Sequence, residues 1–242
     1  QFLFSSTRKS STGSDEPEQL EGDYTDLYVT TIDRNGNFGE PVSIGESINT
    51  KDHEASATMY NNGNSIFFTR CISEKNKNIG CQIYSSNKRG KNWSVPTLLP
   101  LTDSVAISAG HPATNRKGTF IIFASPMPGG RGGKDLWITE YNKRTKSWEK
   151  PKNLGPKYNT AGDEKFPTID KDGNLYFEKE TNTNNISILP NSSGWNSPYN
   201  QFIDNEVYSI YIASFQNEKT EVDSNVTYII RSEASSVKDF TW

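Results

Sequence analysis

Apolar and polar positions along this chain follow one order of short segments, and that order repeats. Each repeat has an apolar segment, a polar turn with glycine, a second apolar segment, a variable loop, an alternating segment, a turn, and an aromatic residue followed by proline. Helical periodicity is scarce, so the pattern predicts short β-strands throughout. Three sets of residues recur at one constant sequence separation, equal to that between Phe38 and Trp93, which we call the repeat step. The sets are Phe38, Trp93 and Trp148; Pro41, Pro96 and Pro151; and Gly63, Gly118 and Gly173.

Four short strands in a repeat of fixed length are typical of a β-propeller blade. We therefore predict an all-β fold, a β-propeller of four-stranded blades, in one domain that spans residues 1–242. The predicted repeats cover approximately residues 1–53, 54–108, 109–163 and 164–203, and residues 204–242 are expected to supply closing strands. Four blades and five blades both remain open at this point.

The first repeat is predicted to lack its innermost strand. Residues 1–6 match the second-strand position of the next repeat, residues 65–70. Either a strand near 208–214 or 226–231 closes the ring by pairing with the first blade, or residues upstream supply the missing strand. Closure by a terminal strand would remove an exposed sheet edge.

The composition narrows the possible partners. Hydrophobic residues make up 32% of the chain and aromatic residues 12%, which predicts a core built largely of aromatic rings. The net charge is −3 and no basic stripe is present, so nucleic acid is not an expected partner. No apolar stretch approaches the roughly 20 residues that cross a bilayer. We expect no membrane-spanning segment in this chain, and any export signal or anchor to lie outside it.

Several strings resemble one bacterial family. The segments are 128–137 (PGGRGGKDLW), 148–155 (WEKPKNLG), 158–167 (YNTAGDEKFP) and 172–177 (DGNLYF). Together they resemble the WD40-like, or PD40, β-propellers of OmpA-linked, outer-membrane-associated proteins, and most of all the propeller module of a type IX secretion component. The resemblance covers approximately residues 1–203. Residues 178–185 depart from it, because a Gly-Gly-x-Asp loop is missing there, and residues 204–242 match nothing in the family.

The resemblance implies a setting and a role. It implies a periplasmic, outer-membrane-associated location and a non-catalytic role as a protein-interaction scaffold, with other cell-envelope proteins as partners and type IX secretion as the assembly. In that family peptidoglycan is bound by a separate OmpA-like domain, which this chain does not contain. A peptidoglycan link is therefore expected only through a domain outside this chain.

Two cysteines, Cys71 and Cys81, end one predicted strand and begin the next. This placement could bring them together across a hairpin, although two thiols alone are weak evidence of an oxidising compartment. A disulfide and two free thiols both remain open. No CxxC pair or neighbouring histidine suggests a metal site, so no metal is expected.

The candidate binding surface is one mouth of the central channel. His53 and Glu54, His111, and Asp163 and Glu164 lie in loops that lead into the predicted innermost strands, and Asn205 and Glu206 occupy a similar place. If the blades close, these loops would gather around one mouth. The alternative is that each side chain hydrogen-bonds its own loop and serves the scaffold.

Three further motifs have a functional and a structural interpretation. The glycine-rich loop 129–133 suggests a phosphate cradle, but a strand follows it where such cradles have a helix, so a tight loop with Arg131 and Lys134 on its rim is favoured. Asp170 and Asp172 suggest a calcium loop, but no Glu follows at the twelfth position, which favours a β-turn. The third motif is the set Ser85, Asn87, Gly90 and Trp93, which resembles the Asp-box turn of sialidases.

No catalytic machinery can be assigned. The chain has no GxSxG motif, and neither of its two histidines can be paired with a nucleophile. We therefore expect no catalytic residues and no cofactor. A glycan-binding or glycoside-hydrolysing, sialidase-like propeller is the alternative function.

Overall fold

The computed structural model describes residues 2–7, 24–74, 77–181, 207–214 and 227–228. In this part of the chain seventeen strands form four antiparallel sheets, and the helical content is one 3-10 turn at Asn61–Gly63. The fold is all-β, as predicted. No helix in the described ranges is long and apolar enough to cross a membrane.

The first sheet has three strands. They are β1 (Phe2–Ser6), β2 (Asp26–Thr30) and β3 (Val42–Ser43), and they lie in chain order. In the register, Phe4 lies opposite Tyr28, and their rings stack with 5.9 Å between centroids. Phe68 and Tyr84 of the second sheet are stacked at the same 5.9 Å. Strand β1 therefore occupies the second-strand position, as predicted.

The second and third sheets repeat one plan. The second contains β4 (His53–Tyr60), β5 (Ser65–Glu74), β6 (Lys77–Arg89), β7 (Asn92–Trp93) and β8 (Thr97–Leu98). The third contains β9 (Gly110–Ala113), β10 (Phe120–Ser125), β11 (Asp135–Asn142), β12 (Ser147–Trp148) and β13 (Lys152–Asn153). In each sheet the predicted fourth strand is split in two, and both pieces pair with the third strand. Prolines 96 and 151, which have no N–H to donate, fall in the gaps between the pieces.

The fourth sheet excludes one way of closing the first blade. It contains β14 (Glu164–Ile169), β15 (Asn174–Thr181), β16 (Val207–Ser214) and β17 (Thr227–Tyr228), in chain order. Strand β16 pairs with β15 along its whole length, from Asn174 opposite Ser214 to Thr181 opposite Val207. Of the alternatives left open for closing the first blade, the strand near 208–214 is therefore excluded, because its backbone groups are used in the fourth sheet. The candidates Asn205 and Glu206 lie outside the described residues.

The sheets pack face to face in chain order, as the blades of a β-propeller do. Strands β4, β9 and β14, the innermost of three successive sheets, lie beside one another. Three apolar clusters fill the spaces between sheets, centred on Ile66 and Phe68, on Phe67 and Phe123, and on Leu136 and Phe177. The largest fully buried side chains in the described part include eight Ile and Leu beside four aromatic rings. The predicted aromatic core is thus corrected to a mixed one.

Two of the three aromatic residues that mark the repeat, Trp93 and Trp148, have equivalent surroundings. Trp93 lies in the cluster between the first and second sheets with Leu27, and only 7% of it is exposed. Trp148 lies against Phe67 of the preceding sheet, with 5.6 Å between ring centroids. Phe38 of the first sheet contacts the ring of Phe2 and is 61% exposed. In the second and third blades, the repeated aromatic residue is therefore a contact to the preceding blade.

The two ends of the blades differ in structure. Because neighbouring strands are antiparallel, the connections after the second and fourth strands of each blade lie at one end, which we call the loop end. The connections after the first and third strands lie at the opposite end, the turn end. Turns at the turn end are short, and side chains such as Asp33, Asn115, Asn142 and Asp170 bond to their own main chain there. Longer connections, which more often carry function, lie at the loop end.

A disulfide joins Cys71 and Cys81 at the loop end. The two residues lie opposite each other on β5 and β6, and Cys71 also lies opposite His53, the first residue of β4. The hairpin of β5 and β6 extends past the disulfide to Glu74 and Lys77. The disulfide therefore ties together the two strands of the hairpin that projects from the loop end.

Candidate functional site

A repeated pair of hydrogen bonds joins each innermost strand to the preceding blade. In the second blade the N–H of Thr25 donates to Nδ1 of His53 at 3.4 Å, and the N–H of Glu54 donates to the carbonyl of Thr25 at 2.7 Å. In the third blade, the N–H of Cys81 donates to the hydroxyl of Ser108, and the N–H of Ala109 donates to the carbonyl of Cys81. In the fourth, the N–H of Lys134 donates to the carboxylate of Asp163, and the N–H of Glu164 donates to the carbonyl of Lys134. His53 and Asp163 are therefore structural acceptors between blades.

Glu54 is held entirely inside the scaffold. Its carboxylate accepts bonds from the N–H and hydroxyl of Thr50 at 2.9 and 2.7 Å, and from Nε of Arg70 at 2.6 Å. The residue has no exposed surface. Burial raises the pKa of this carboxyl, although the bonds from Thr50 and the charge of Arg70 act in the opposite direction. Glu54 therefore matches the structural alternative of the sequence analysis, in which the side chain hydrogen-bonds its own loop.

Glu164 repeats the arrangement of Glu54 two blades further along the chain. It is fully buried, and its carboxylate accepts bonds from the N–H and hydroxyl of Thr160. Lys179 lies opposite it on β15, as Arg70 lies opposite Glu54 on β5. Burial raises the pKa of the Glu164 carboxyl. Both glutamates are thus fixed by the scaffold and are withdrawn from the channel mouth.

The glycine-rich loop is filled by a carboxylate of the chain itself. Asp135, which is 1% exposed, accepts bonds from the N–H of Arg131 at 2.6 Å and of Gly132 at 3.2 Å. A Cβ on Gly132 or Gly133 would overlap the 161–163 loop of the next blade. The phosphate-cradle interpretation therefore fails, because the N–H groups that would bind a phosphate already donate to the carboxylate of Asp135. The tight-loop interpretation holds.

The innermost strands share a backbone feature that the sequence analysis missed. Ser56, His111 and Phe166, which are separated by the repeat step, have positive φ values of 33°, 54° and 50°. The strand register shifts beside each of them, so each blade carries a β-bulge at the same place. Non-glycine residues with positive φ are uncommon, and such strain often accompanies function. The three bulges lie near the loop end of the channel.

A chain of hydrogen bonds links the three bulges. The N–H of Phe166 donates to Nδ1 of His111 at 3.3 Å, and the N–H of His111 donates to Oγ1 of Thr69 at 2.9 Å. The hydroxyl of Thr69 donates to the carbonyl of Ser56 at 3.3 Å. A Cβ on Gly110 would lie 3.1 Å from Cγ2 of Thr69, so glycine lets the strands come this close. The bulges of three blades therefore form one connected element.

His111 and Phe166 form a stacked pair at the centre of the candidate site. Their rings are 4.0 Å apart between centroids and 15° from parallel. His111 is half-buried, whereas 44% of Phe166 is exposed. Burial is the main cause that lowers the pKa of His111 from 6.5 to about 4. The positive charges of Lys134 and Lys165 contribute to this decrease, whereas the negative charge of Asp163 opposes it. At neutral pH the imidazole is uncharged, and because Nδ1 accepts a bond, Nε2 carries the proton.

The cationic side chains in this region belong to the glycine-rich loop and to strand β14. Lys134 ends the glycine-rich loop and is half-buried, and Arg131 in the same loop is exposed. Lys165 lies between Glu164 and Phe166 on β14, with its Nζ 3.4 Å from the carboxylate of Asp163. Within the described ranges, no group of three or more His, Cys, Asp and Glu side chains is placed to hold a metal ion.

The structure separates the seven binding candidates into two groups. Glu54, Glu164, Asp163 and His53 serve the scaffold, and His111 stacks on the exposed ring of Phe166. Lys134 lies near enough to lower the pKa of His111, and Arg131 is exposed in the same glycine-rich loop. His53 and His111 both lie near the start of innermost strands, but by the repeat step the equivalent of His111 is Ser56. Phe166, Lys165 and Ser56 were missed. The repeat step among the three bulge positions was the available signal, but Ser, His and Phe share no chemistry that would draw attention to it.

Two further motifs are structural turns. Both carboxylate oxygens of Asp170 accept bonds within the loop, from the N–H groups of Asp172 and Asn174 and from the side chains of Asn174 and Tyr176. Burial is the largest single effect and raises the pKa of Asp170, but the hydrogen bonds together outweigh it and lower the pKa to about 2. In the Asp-box-like segment, Asn87 accepts a bond from Ser65 at 2.6 Å and Trp93 is buried. The β-turn interpretation of the Asp170 segment therefore holds.

Comparisons with known proteins concern architecture alone. No protein-family model matches this chain, and no curated protein matches it. A protein assigned as TolB from Agrobacterium tumefaciens matches 81% of the chain at 14% identity with a TM-score of 0.43. This chain spans about 60% of the length of that protein. A thermostable family-43 glycoside hydrolase matches 86% of the chain at 11% identity with a TM-score of 0.46, over 73% of its own length.

Proposed function

We propose that this chain is a non-catalytic interaction scaffold of a bacterial periplasm, which binds a partner protein at its loop end. The supporting observation is a contrast between side chains at that end. Glu54, Glu164 and Asp135 are buried and hydrogen-bonded to loops, while the ring of Phe166 is 44% exposed beside Lys134. A rigid scaffold that presents an aromatic ring among charged side chains is suited to recognition of another protein.

The compartment and the assembly rest on two supports. The disulfide between Cys71 and Cys81 favours an oxidising compartment such as the periplasm, because cytosolic thiols are kept reduced. The resemblance to OmpA-linked PD40 propellers favours a cell-envelope protein as the partner, association with the outer membrane, and type IX secretion as the assembly. Any link to peptidoglycan would be made through a domain outside this chain.

A glycan-binding or glycoside-hydrolysing propeller is the competing function. Glycoside hydrolysis commonly uses two carboxyl groups that flank the scissile bond, one of them as a proton donor. The buried carboxyls of Glu54 and Glu164 have raised pKa values, which suits an acid, but their oxygens accept bonds from Thr50, Arg70 and Thr160. Neither carboxyl is positioned to reach a sugar in the channel. The contrast in exposure at the loop end therefore favours a scaffold.

Site-specific photo-crosslinking tests the proposed function. The photoreactive residue p-benzoylphenylalanine replaces Phe166 in one variant and the exposed Lys117, at the turn end, in a matched control. On illumination in an envelope extract of the producing organism, the Phe166 variant should give one discrete adduct that excess unlabelled chain suppresses. The control should not give that adduct. The same adduct from both variants, no adduct from either, or specific turnover of a glycoside by the purified chain would contradict the proposal.

A further inference from the structure

The surface around Phe166 has a charge pattern that indicates the chemistry of its ligand. We propose that Phe166, His111, Lys134 and Arg131 bind an extended acidic peptide segment, with one apolar peptide side chain on the ring of Phe166. The carboxylates of the peptide would lie beside the two cationic side chains. This inference rests on the proposed function and names the chemistry of the partner.

The accessible charges at this surface are mainly positive. Arg131 is exposed and Lys134 is half-buried, whereas the nearby carboxylates of Asp135 and Glu164 are 1% and 0% exposed. Asp163 is partly exposed, but it accepts the N–H of Lys134 at 2.8 Å and lies 3.4 Å from the ammonium of Lys165. A partner that reaches the glycine-rich loop therefore meets the cations Arg131 and Lys134 and not the buried carboxylate of Asp135. Such a field attracts acidic segments and raises their association rate.

His111 adds a hydrogen-bond donor to the positive field. Its Nδ1 is occupied by the N–H of Phe166, so the proton of the neutral ring is on Nε2. A carboxylate bound at Nε2 would be stabilised by the nearby positive charge, and it would not need to displace a bond inside the protein. A basic segment would place its ammonium groups against a donor and two cations. The site therefore favours a negatively charged peptide segment over a positively charged one.

The ring of Phe166 provides the apolar part of the site. It lies flat on His111, which holds one face, and 44% of the residue remains accessible. The left-handed backbone at Phe166 and the bond from its N–H fix the ring before any ligand arrives. A platform that is already ordered loses little conformational entropy on binding.

A peptide suits this surface better than a sugar. Sugar recognition combines an aromatic platform with several hydrogen-bonding side chains that are free to contact hydroxyl groups. The polar side chains close to Phe166 in the sequence, Asp163, Glu164 and Thr160, are bonded to the scaffold. What remains accessible is an aromatic ring with cations and one N–H donor, which matches alternating apolar and acidic side chains.

Fluorescence anisotropy with three labelled dodecapeptides tests the inference. The first alternates Asp and Phe with glycine spacers, the second replaces Asp by Lys, and the third replaces Phe by Ala. We expect the first to bind tightest, the second not to bind, and added salt to weaken binding of the first. Lys134→Gln and Arg131→Gln should each weaken binding by about two- to fivefold, the range for exposed ion pairs. Lys117→Gln, at the turn end, is the matched control and should bind like the parent protein.

Two Phe166 variants separate the role of the ring from folding. Phe166→Leu keeps an apolar side chain without a stacking surface and should weaken binding of the Asp-Phe peptide by about threefold to tenfold. Phe166→Tyr keeps an aromatic ring and should bind the peptide nearly as well as the parent protein. Circular dichroism of each variant checks that the fold is retained. Equal binding of the acidic and basic peptides would overturn the inference. Binding that neither cationic substitution changes, or tighter binding of oligogalacturonate than of any peptide, would overturn it as well.

The outcomes distinguish this inference from the proposed function. A specific crosslink from position 166, together with no preference for the acidic peptide, would contradict the proposal of an acidic ligand and would still support the scaffold role. No crosslink together with a clear acidic preference would support the ligand chemistry and count against an envelope partner. Failure of both measurements would contradict both proposals.

Discussion

The main-chain N–H of Phe166 donates to Nδ1 of His111 at 3.3 Å, and the two rings stack with 4.0 Å between their centroids. The two residues are separated by one repeat step, so the bond joins equivalent positions in neighbouring blades. An imidazole that accepts this bond must keep Nδ1 unprotonated. Protonation of His111 would break the bond and place a positive charge near Lys134 and Lys165.

Stability should therefore fall on acidification in a window set by His111. The pKa of His111 is about 4 in the folded protein, whereas an unfolded histidine titrates near 6.5. Between these values the unfolded chain binds more protons, so the free energy of unfolding decreases as the pH falls from about 6.5 to about 4. The contribution is fully present above about pH 6.5 and amounts to roughly 2–4 kcal/mol. Urea denaturation at several pH values measures it.

The variant His111→Asn isolates this contribution, because asparagine tolerates the positive φ and does not titrate. Subtracting its pH profile from that of the parent removes the effects of the acidic groups common to both proteins. The difference should slope only between about pH 6.5 and pH 4. An NMR titration that assigns His111 a pKa near 6.5, or identical profiles for the two proteins, would show that the imidazole does not hold this bond.

Glu54 should be essential to the second blade. Removing its carboxylate leaves Arg70, whose side chain is 12% exposed, without its ion-pair partner, and the N–H of Thr50 without an acceptor. Breaking a buried pair in this way costs about 3–5 kcal/mol. We expect Glu54→Ala to lower the free energy of unfolding by that order, and the double variant Glu54→Ala with Arg70→Met to recover part of it. Thermal and urea unfolding measure the change.

Glu46 provides the control for that prediction. It lies in the connection that leads into β4, the strand that carries Glu54, and is exposed, so Glu46→Ala should change stability by less than about 0.5 kcal/mol. A Glu54→Ala protein as stable as Glu46→Ala would mean that the buried carboxylate contributes nothing to the scaffold. A double variant less stable than Glu54→Ala alone would also contradict the argument, since it would mean that the unpaired Arg70 is not the source of the cost.

The repeat could be predicted from the sequence because its signals are local. Alternating apolar residues, glycine turns such as Gly118 and the aromatic marker Trp148 all act within one blade. The place of β16 could not be predicted in the same way. Which strand pairs with β15 depends on contacts between distant segments, and the repeat step fails after Phe177.

The site was predicted only in part, for a related reason. Charged residues at the predicted mouth, such as Glu54 and Asp163, were recognised, but the sequence could not show whether they face a ligand or their own scaffold. That distinction depends on the N–H groups of Thr25, Thr50 and Lys134, which nearly every residue type carries. The bulge at Phe166 was missed because strained backbone is not encoded by any one side chain.

The disulfide should be detectable in the purified chain. Mass measurement after alkylation without reductant should show Cys71 and Cys81 both blocked, and reduction first should add two labels. Replacing both residues by serine should lower the free energy of unfolding by about 1–3 kcal/mol, less than a typical disulfide, because the paired strands β5 and β6 already restrict this short loop. Two freely labelled thiols in protein purified from the periplasm would rule out the bond and remove one support for that compartment.

The contact between the glycine-rich loop and the next blade should not tolerate a side chain. A Cβ at Gly133 would overlap Oδ1 of Asp163, the atom that accepts the N–H of Lys134 at 2.8 Å. Gly133→Ala should therefore separate the third and fourth blades locally and cost about 1–3 kcal/mol, as overpacking does. Arg131→Ala is the control in the same loop, since that side chain is exposed. Hydrogen exchange should show faster exchange at Lys134 and Glu164 in Gly133→Ala alone, and unchanged exchange there would mean that the loop moves aside without cost.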